Sequence, residues 1–248
     1  MLITNTGEKL KHNLRKDFRW VKHKDFWLSF VSGDGALFLY EELKRVIKKG
    51  IWYDTSTGTM EGSHVFAAVG LDSLLKKYYG PSVGMINLRD LHRSEVVKML
   101  RQEETFYSDI PEIIIRGLDE DPSNERVSKD ILSKVKRIKG KIKKPVLIKG
   151  LDIQASSKNK YGLVFVPGRD LKVVYDEKLS GKYDSCSFNN LDEKELPMFS
   201  KEATYRIWCA KPDGISGIYF DRNIFSNSTN LYESNKRGRL LVKGLPKN

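Results

Sequence analysis

The hydrophobic period of this sequence changes at Pro145, and this change constrains the fold more than any other feature. Before Pro145, Val127, Ile131 and Val135 recur at four-residue spacing, which is typical of one face of a helix. After Pro145, apolar and polar residues alternate in segments such as "YGLVFV", "LKVVYDE", "YRIWCA" and "ISGIYFD", as in half-buried strands. The sequence therefore predicts a helix that leads into a β-rich part.

The predicted helix has clear signals at both ends. Asp121 is a good N-cap residue, and Pro122 suits the first helical position. The apolar stripe continues to Ile138 and Ile142. We expect an amphipathic helix that extends at least as far as Gly140.

The N-terminal part alternates between predicted helices and strands. The segment "ALFLYEELKRVIKKG" predicts a helix with Gly50 just past its end, and "IWYDTSTGTMEGS" predicts a strand that runs into a polar loop. In "HVFAAVGLDSLLKKYYG" a short apolar segment precedes a helix closed by Gly80. The segments "VGMINL" and "EIIIRG" predict short buried strands on either side of a helix through "SEVVKMLRQEE". This alternation indicates an α/β layer.

We therefore predict an α+β fold in three segments. Residues 1–120 form an α/β domain with a basic N-terminal arm, residues 121–145 form a basic amphipathic helix, and residues 146–248 form a β-rich domain. Within the last segment we expect two hairpins, one with the loop "PGRD" and one with the turn "KPDG", followed by a closing strand in "GRLLVKG".

The overall charge is strongly basic. There are 44 Lys and Arg against 32 Asp and Glu, which gives a formal net charge of +12. A surface with this excess attracts nucleic acid, anionic lipid or an acidic protein, although it is also compatible with simple solubility.

The predicted helix carries a concentrated share of this charge. An ordinary solvated helix face mixes both signs, because Glu–Lys pairs four residues apart stabilise it and like charges oppose it. Here the segment is interpreted as having Asp130 as its one acid against eight cations. They are Lys129, Lys134, Lys136, Arg137, Lys139, Lys141, Lys143 and Lys144. We expect these cations to bind nucleic acid, DNA or RNA, mainly through phosphates.

Other segments could extend this basic surface. The N-terminal arm and the tail "NKRGRLLVKGLPK" are rich in cations, and Trp20, Trp27, Tyr161 and Tyr232 could stack on bases. Packing within the protein is the alternative for each of these aromatic residues.

Signatures of chemistry are few. The four His and two Cys residues form no metal-ligand spacing, and the usual nucleotide-loop and hydrolase motifs are absent from the sequence. Asp34 with Glu42 and Lys44 would suit a metal-dependent nuclease only if the last two lay on a strand, whereas their segment predicts a helix. No cofactor or metal is expected from these residues.

The order of elements over residues 43–117 resembles the core of the ADP-ribosyltransferase and RNA 2′-phosphotransferase superfamily. The relevant segments are "LKRVIKKGIWYDTSTGTMEGSHVFAAVGLDSLLKKYYG", "SVGMINL" and "IPEIIIRG". The resemblance implies an NAD-dependent transferase in which Glu112 orients a ribose hydroxyl and Ser63 or His64 borders the nicotinamide pocket. The preceding segment "FWLSFVSGDG" lacks the Arg or His-Gly-Thr-like signature of that superfamily.

A third interpretation is a structural component of a viral or nucleoprotein assembly, which the lack of catalytic signatures favours. The longest apolar runs are too short to span a bilayer, and the N-terminus lacks the apolar core of a signal peptide. We therefore expect a soluble protein of a reducing, cytoplasmic compartment, without a membrane partner.

Overall fold

The structure is a computed structural model that describes residues 17–23, 26–91, 93, 95–98, 106–204, 206–228 and 230–244. Its helices are α1 (Asp34–Lys44), α2 (Val65–Tyr79), α3 (Leu88–Leu91) and α4 (Pro122–Lys139), with two 3₁₀ turns at Glu177–Leu179 and Gly181–Tyr183. Residues 95–98 are also helical. Most of the predicted basic arm and most of the predicted helix through "SEVVKMLRQEE" lie outside the described residues.

The strands form a larger part of the fold. They are β1 (Val21–Lys22), β2 (Trp27–Phe30), β3 (Trp52–Asp54), β4 (Thr59–Glu61), β5 (Val83–Met85), β6 (Ser108–Ile115), β7 (Val146–Ala155), β8 (Leu163–Tyr175), β9 (Cys186–Leu191), β10 (Pro197–Phe199), β11 (Arg206–Ala210), β12 (Ile215–Asp221), β13 (Asn223–Ser226) and β14 (Leu241–Gly244). The predicted α+β class with a β-rich C-terminal part is confirmed.

An eight-stranded sheet dominates the fold, with the order β10-β9-β11-β13-β12-β6-β7-β8. A four-stranded sheet has the order β1-β2-β14-β5, and β3 pairs with β4. In the large sheet β6 lies between β12 and β7, and in the small sheet β14 lies between β2 and β5. Both sheets therefore contain strands from both sides of the predicted boundaries at 120 and 145, and the three segments do not form separate sheets.

Strand β6 is the centre of the core. All eight of its residues are buried. Ile113 and Ile115 pack in one apolar cluster with residues of α2 and α4, whereas Ile110 and Ile114 belong to a second cluster. Burial on both faces explains why this strand is a continuous apolar run rather than an alternating one.

Helix α4 follows its sequence signals closely. The Asp121 side chain accepts a hydrogen bond from Ser123 N at 2.8 Å, and Gly140, with φ of 78°, follows the last helical residue. Val127, Ile131 and Val135 are fully buried. Ile138, however, is 58% exposed, so its assignment to the buried stripe was wrong. The reason is that residues 136–141 are all exposed, and the last turn of α4 is not covered by the rest of the fold.

Two predicted helix boundaries differ from the structure. Helix α1 ends at Lys44 rather than near Lys49, because the next residues form a turn in which Val46 N and Ile47 N both donate to Leu43 O. The apolar segment "HVFAAVGL" is the first half of α2 rather than a separate element. It is apolar all round because this half of the helix is buried.

The predicted hairpin around "PGRD" was wrong. Strand β8 runs through this segment without turning back, because β7 pairs with it on both sides of an irregularity between Lys149 and Leu151. Gly150 makes this possible with φ of 68°, and a Cβ there would lie 2.2 Å from Asp170 O. A local turn signal is thus overridden by pairing with the preceding strand, β7.

The second predicted hairpin was also wrong. Strands β11 and β12 are not partners, because β13 lies between them, parallel to β11 and antiparallel to β12.

Among the described helices, none combines the length and the apolar composition that a bilayer-spanning helix needs.

Candidate functional site

Two of the eight predicted phosphate-binding cations are paired within helix α4. Lys129 Nζ lies 3.1 Å from Glu125 Oε1, and Lys134 Nζ lies 2.6 Å from Asp130 Oδ2. The sequence interpretation considered Asp130 alone and overlooked Glu125. Half of the helix is therefore an ordinary mixed-charge surface, where such pairs stabilise by a few tenths of a kcal/mol each.

The other six cations lie together where α4 ends, and we call them the basic end of α4. They are Lys136, Arg137, Lys139, Lys141, Lys143 and Lys144, and all six are exposed. Lys144 Nζ donates to Gly117 O at 2.9 Å. The side chains of the other five contact no acid or acceptor among the described residues.

The carbonyl end of the helix compensates only part of this positive charge. Cations in the last turn interact favourably with the free carbonyl groups there, by about 0.3–1 kcal/mol each. Lys136, Arg137 and Lys139 are in that position. Lys141 and Lys143 lie beyond Gly140, where like charges repel and the described chain provides no compensating acid.

Two large apolar or aromatic side chains lie beside these cations. Tyr175, at the end of β8, is 36% exposed and its hydroxyl donates to Lys141 O at 3.4 Å. Ile138 is exposed within the cluster itself. A phenol ring next to exposed cations is the combination that binds single-stranded nucleic acid by stacking and phosphate contact. The sequence interpretation missed Tyr175.

Three of the four aromatic residues that the sequence suggested for stacking have aromatic partners within the protein. Tyr161 is 8% exposed and stacks on Tyr232, with ring centroids 5.9 Å apart. The Trp20 ring lies 5.2 Å from that of Phe18, and Trp27 is half-buried in β2. Packing within the protein is thus the observed role of Tyr161, Tyr232 and Trp20.

Two cations of the tail are ion-paired as well. Arg239 Nη2 lies 3.1 Å from Glu61 Oε1, and Lys243 is ion-paired with Asp90. These pairs fix β14 and its approach segment to the rest of the fold. Residues 245–248 lie outside the described residues, as do residues 1–16 of the predicted arm.

Glu112 lines a cleft with a volume of about 720 Å³. Its side chain is 2% exposed, with Oε1 3.4 Å from Lys149 Nζ, while Oε2 has no hydrogen-bond partner among the described residues. Lys149 Nζ also lies 2.8 Å from Glu195 Oε2. Burial raises the pKa of Glu112, and the nearby Lys149 partly opposes that rise.

His64 is the N-cap of α2. Its Nδ1 accepts a hydrogen bond from Ala67 N at 3.2 Å, which requires an unprotonated nitrogen. Burial lowers the pKa of His64 to about 3. The ring is therefore neutral at physiological pH, and capping the helix accounts for its place in the sequence.

His64 and Glu112 do not share a cavity. His64 borders a second, smaller cavity of about 220 Å³ that also includes Asp109, Tyr107, Tyr219 and Glu233. The two residues that the resemblance implies for one transferase site are thus in separate places. Ser63 lies against the smaller cavity, where its Oγ donates to Asp109 Oδ2 at 2.8 Å.

The acid-plus-E-x-K arrangement lies on helix α1, as its sequence indicated. Glu42 pairs with Arg45 at 2.7 Å and accepts from the Tyr78 hydroxyl at 2.8 Å, and Lys44 Nζ donates to Lys48 O. These contacts engage both side chains within the protein. Over the described ranges, no group of three His, Cys, Asp or Glu side chains is placed to hold a metal ion.

Comparison with known proteins gives no relative for this chain: no family model, no curated protein and no solved structure matches it. The function is therefore inferred from the geometry of the surfaces and cavities alone.

Proposed function

We propose that this protein binds nucleic acid, DNA or RNA, mainly through phosphate contacts at the basic end of α4. The observation that carries this proposal is the set of five exposed cations whose side chains contact no acid or acceptor in the described chain. Phosphates would replace the missing acids and release their own counterions. The contacts are to the backbone, so the proposal includes no base specificity.

The order of charges along α4 supports this interpretation. Acids accompany the cations in the first part of the helix, where Glu125 and Asp130 each pair with a lysine four residues later. They are missing from residues 131–145. Because opposite charges would stabilise the isolated helix, their omission at one end favours an external anion as the partner.

The first experiment is fluorescence anisotropy with labelled single- and double-stranded DNA and RNA. We compare a variant with Lys136, Arg137 and Lys139 changed to Gln with a control variant in which Lys77, Lys158 and Lys201 are changed to Gln. Both lose three positive charges, and all six side chains are exposed. We expect the first variant to lose at least tenfold in affinity and the control to stay within about threefold, because only the first loses phosphate contacts.

Equal loss in the two variants would mean that overall charge, rather than the end of α4, determines binding. Absence of binding at low salt for all four nucleic acids would reject the proposal outright. Circular dichroism and thermal unfolding of both variants check that the fold is retained.

An ADP-ribosyltransferase-like reaction is the second candidate, and a single observation favours it. Glu112 Oε2 is buried without a partner in the wall of the large cleft, where it could accept a hydrogen bond from a ligand hydroxyl. Incubation with labelled NAD and candidate acceptors tests this, with Glu112→Gln as the control. Absence of both NAD binding and label transfer would count against it.

A further inference from the structure

The smaller cavity differs in charge from the rest of this basic protein. It lies where the start of β6, β12, Ser228 and residues 230–235 meet, and its volume is about 220 Å³. Three carboxylates line it, from Asp109, Asp221 and Glu233, and no Lys or Arg does. When all three are ionised, the lining carries a charge of −3, in a chain whose formal net charge is +12.

None of these carboxylates has a cationic partner in the described chain. Asp109 Oδ2 accepts from Ser63 Oγ, and Glu233 accepts from Ser228 Oγ at 3.1 Å. No ion pair within 4.0 Å involves any of the three among the described residues. Asp109 is buried, and a carboxylate that ionises there without a cationic partner is costly, so the arrangement favours a cation from outside.

Asp109 is the fixed element of the cavity. Asp109 is only 7% exposed. Ser63 Oγ holds it at two points, because this hydroxyl donates to Asp109 Oδ2 and accepts from Asp109 N at 2.7 Å. The other carboxylate oxygen, Oδ1, accepts no hydrogen bond from another described residue. A buried carboxylate with one free oxygen on a cavity wall is a ready acceptor for a ligand.

Two tyrosine rings form part of the same wall. The Tyr219 ring stacks on Phe225 with centroids 5.0 Å apart, and the Tyr107 ring meets Tyr219 edge-on at 6.1 Å. The Tyr107 hydroxyl is already engaged, because it donates to Ser63 O and accepts from Asn235 N. The rings are therefore held in place and offer π surface as well as hydroxyl oxygen.

We propose that this cavity binds a small organic cation through a primary ammonium or guanidinium group, which pairs with Asp109 and Glu233 and contacts the tyrosine rings. Carboxylates supply the charge, and aromatic faces attract organic cations within about 6 Å of the ring centre. A hydrated metal ion would instead require a shell of oxygen ligands and would gain nothing from the rings. The cavity is small enough to select the charged group and a short chain.

The pH dependence of binding follows from the groups that face Asp109. Burial, with a smaller effect of Glu233, raises the pKa of Asp109 to about 7. Asp221 adds a further negative charge, His64 is neutral, and Tyr107 and Tyr219 keep their protons because burial raises the pKa of both, to about 12 for Tyr219. Affinity for the cation should therefore increase from pH 6 to pH 8 as Asp109 loses its proton.

Isothermal titration calorimetry on the full chain tests the proposal with three probes. Agmatine supplies a guanidinium and an ammonium group, N-butylurea is the neutral analogue, and a capped glycine peptide with one arginine presents the same group on a protein chain. We expect saturable agmatine binding and none of N-butylurea. Asp109→Asn and Glu233→Gln should each weaken agmatine binding at least tenfold, whereas the exposed Glu202→Gln should leave it unchanged.

The peptide identifies the source of the cation. Agmatine binding without peptide binding supports a free small molecule, and binding of both supports recognition of the group on a protein as well. If neither binds, or if both cavity variants bind agmatine as the wild type does, the proposal is overturned. Glu233 is exposed, so its variant remains informative even if Asp109→Asn alters folding.

Discussion

Replacement of Asp109 by Asn should remove a large pH dependence of stability. Burial raises the pKa of this carboxyl group from 3.8 to about 7 in the folded state. A difference of about 3 units corresponds to about 4 kcal/mol between the two protonation states. Between pH 4 and pH 7 the folded chain holds a proton that the unfolded chain has lost, so the stability contributed by this group falls as the pH rises through that window.

In Asp109→Asn the side chain at position 109 cannot ionise, so the variant should not lose this stability as the pH rises. At pH 4.5 we expect Asp109→Asn and wild type to differ by at most about 1 kcal/mol, because Asn resembles the protonated acid in shape and hydrogen bonding. At pH 8.5 the variant should be more stable than wild type by up to about 4 kcal/mol. The other carboxyl groups titrate in both proteins, so their contributions to the free energy of unfolding largely cancel in the difference.

Urea unfolding followed by circular dichroism at several pH values measures this difference. Glu233→Gln gives a second check, because Glu233 contributes to the raised pKa of Asp109 and its removal should shift the stability profile to lower pH. If the wild-type and Asp109→Asn profiles run parallel from pH 4.5 to pH 8.5, Asp109 is not held in the environment that the structure describes.

Two further predictions concern packing. Gly62→Ala should lower the free energy of unfolding by about 1–3 kcal/mol more than Gly80→Ala, although both glycines have positive φ. The reason is that a Cβ at Gly62 would lie 2.3 Å from Gly50 O, while one at Gly80 meets nothing within 4 Å. Equal losses in urea unfolding would contradict the close approach. Ile131→Ala should lower the free energy of unfolding by about 2–5 kcal/mol and Ile138→Ala by less than about 0.5 kcal/mol, since only Ile131 is buried. Similar losses in the two variants would show that the end of α4 is covered.

The sequence predicted those elements whose signals are local. Helix α4 has a side-chain cap at Asp121, a proline at its first position and a terminal glycine, and all three have their expected roles. Its apolar repeat is confirmed through Val135 and fails at Ile138, because no local signal reveals where the rest of the fold stops covering a helix.

The strand pairing could not be predicted in the same way. The "PGRD" and "KPDG" segments have the composition of turns. Their predicted hairpins are overridden because β8 pairs along its length with the preceding strand, β7, and because β13 lies between β11 and β12. Turn composition describes a local preference, whereas pairing depends on the whole sheet.

The sequence could not predict which residues line the smaller cavity, for the same reason. Asp109 and Glu233 are 124 residues apart in the sequence (233 − 109), and only the tertiary fold brings them to one cavity. The one available signal was an acid at the start of an apolar run, "SDIPEIII", which places a carboxylate at the start of a buried strand. The basic end of α4 was predictable because its cations are contiguous in sequence.

The salt dependence of nucleic-acid affinity tests the central claim most directly. If the five unpartnered cations each contact a phosphate, log K against log[salt] should have a slope of about −4 to −5 for duplex DNA, and affinity should fall about 500-fold between 50 and 200 mM salt. In the variant with Lys136, Arg137 and Lys139 changed to Gln, the slope should become shallower by about 2 to 3. A flat salt dependence, or the same slope in that variant as in wild type, would contradict a phosphate-binding role for the end of α4.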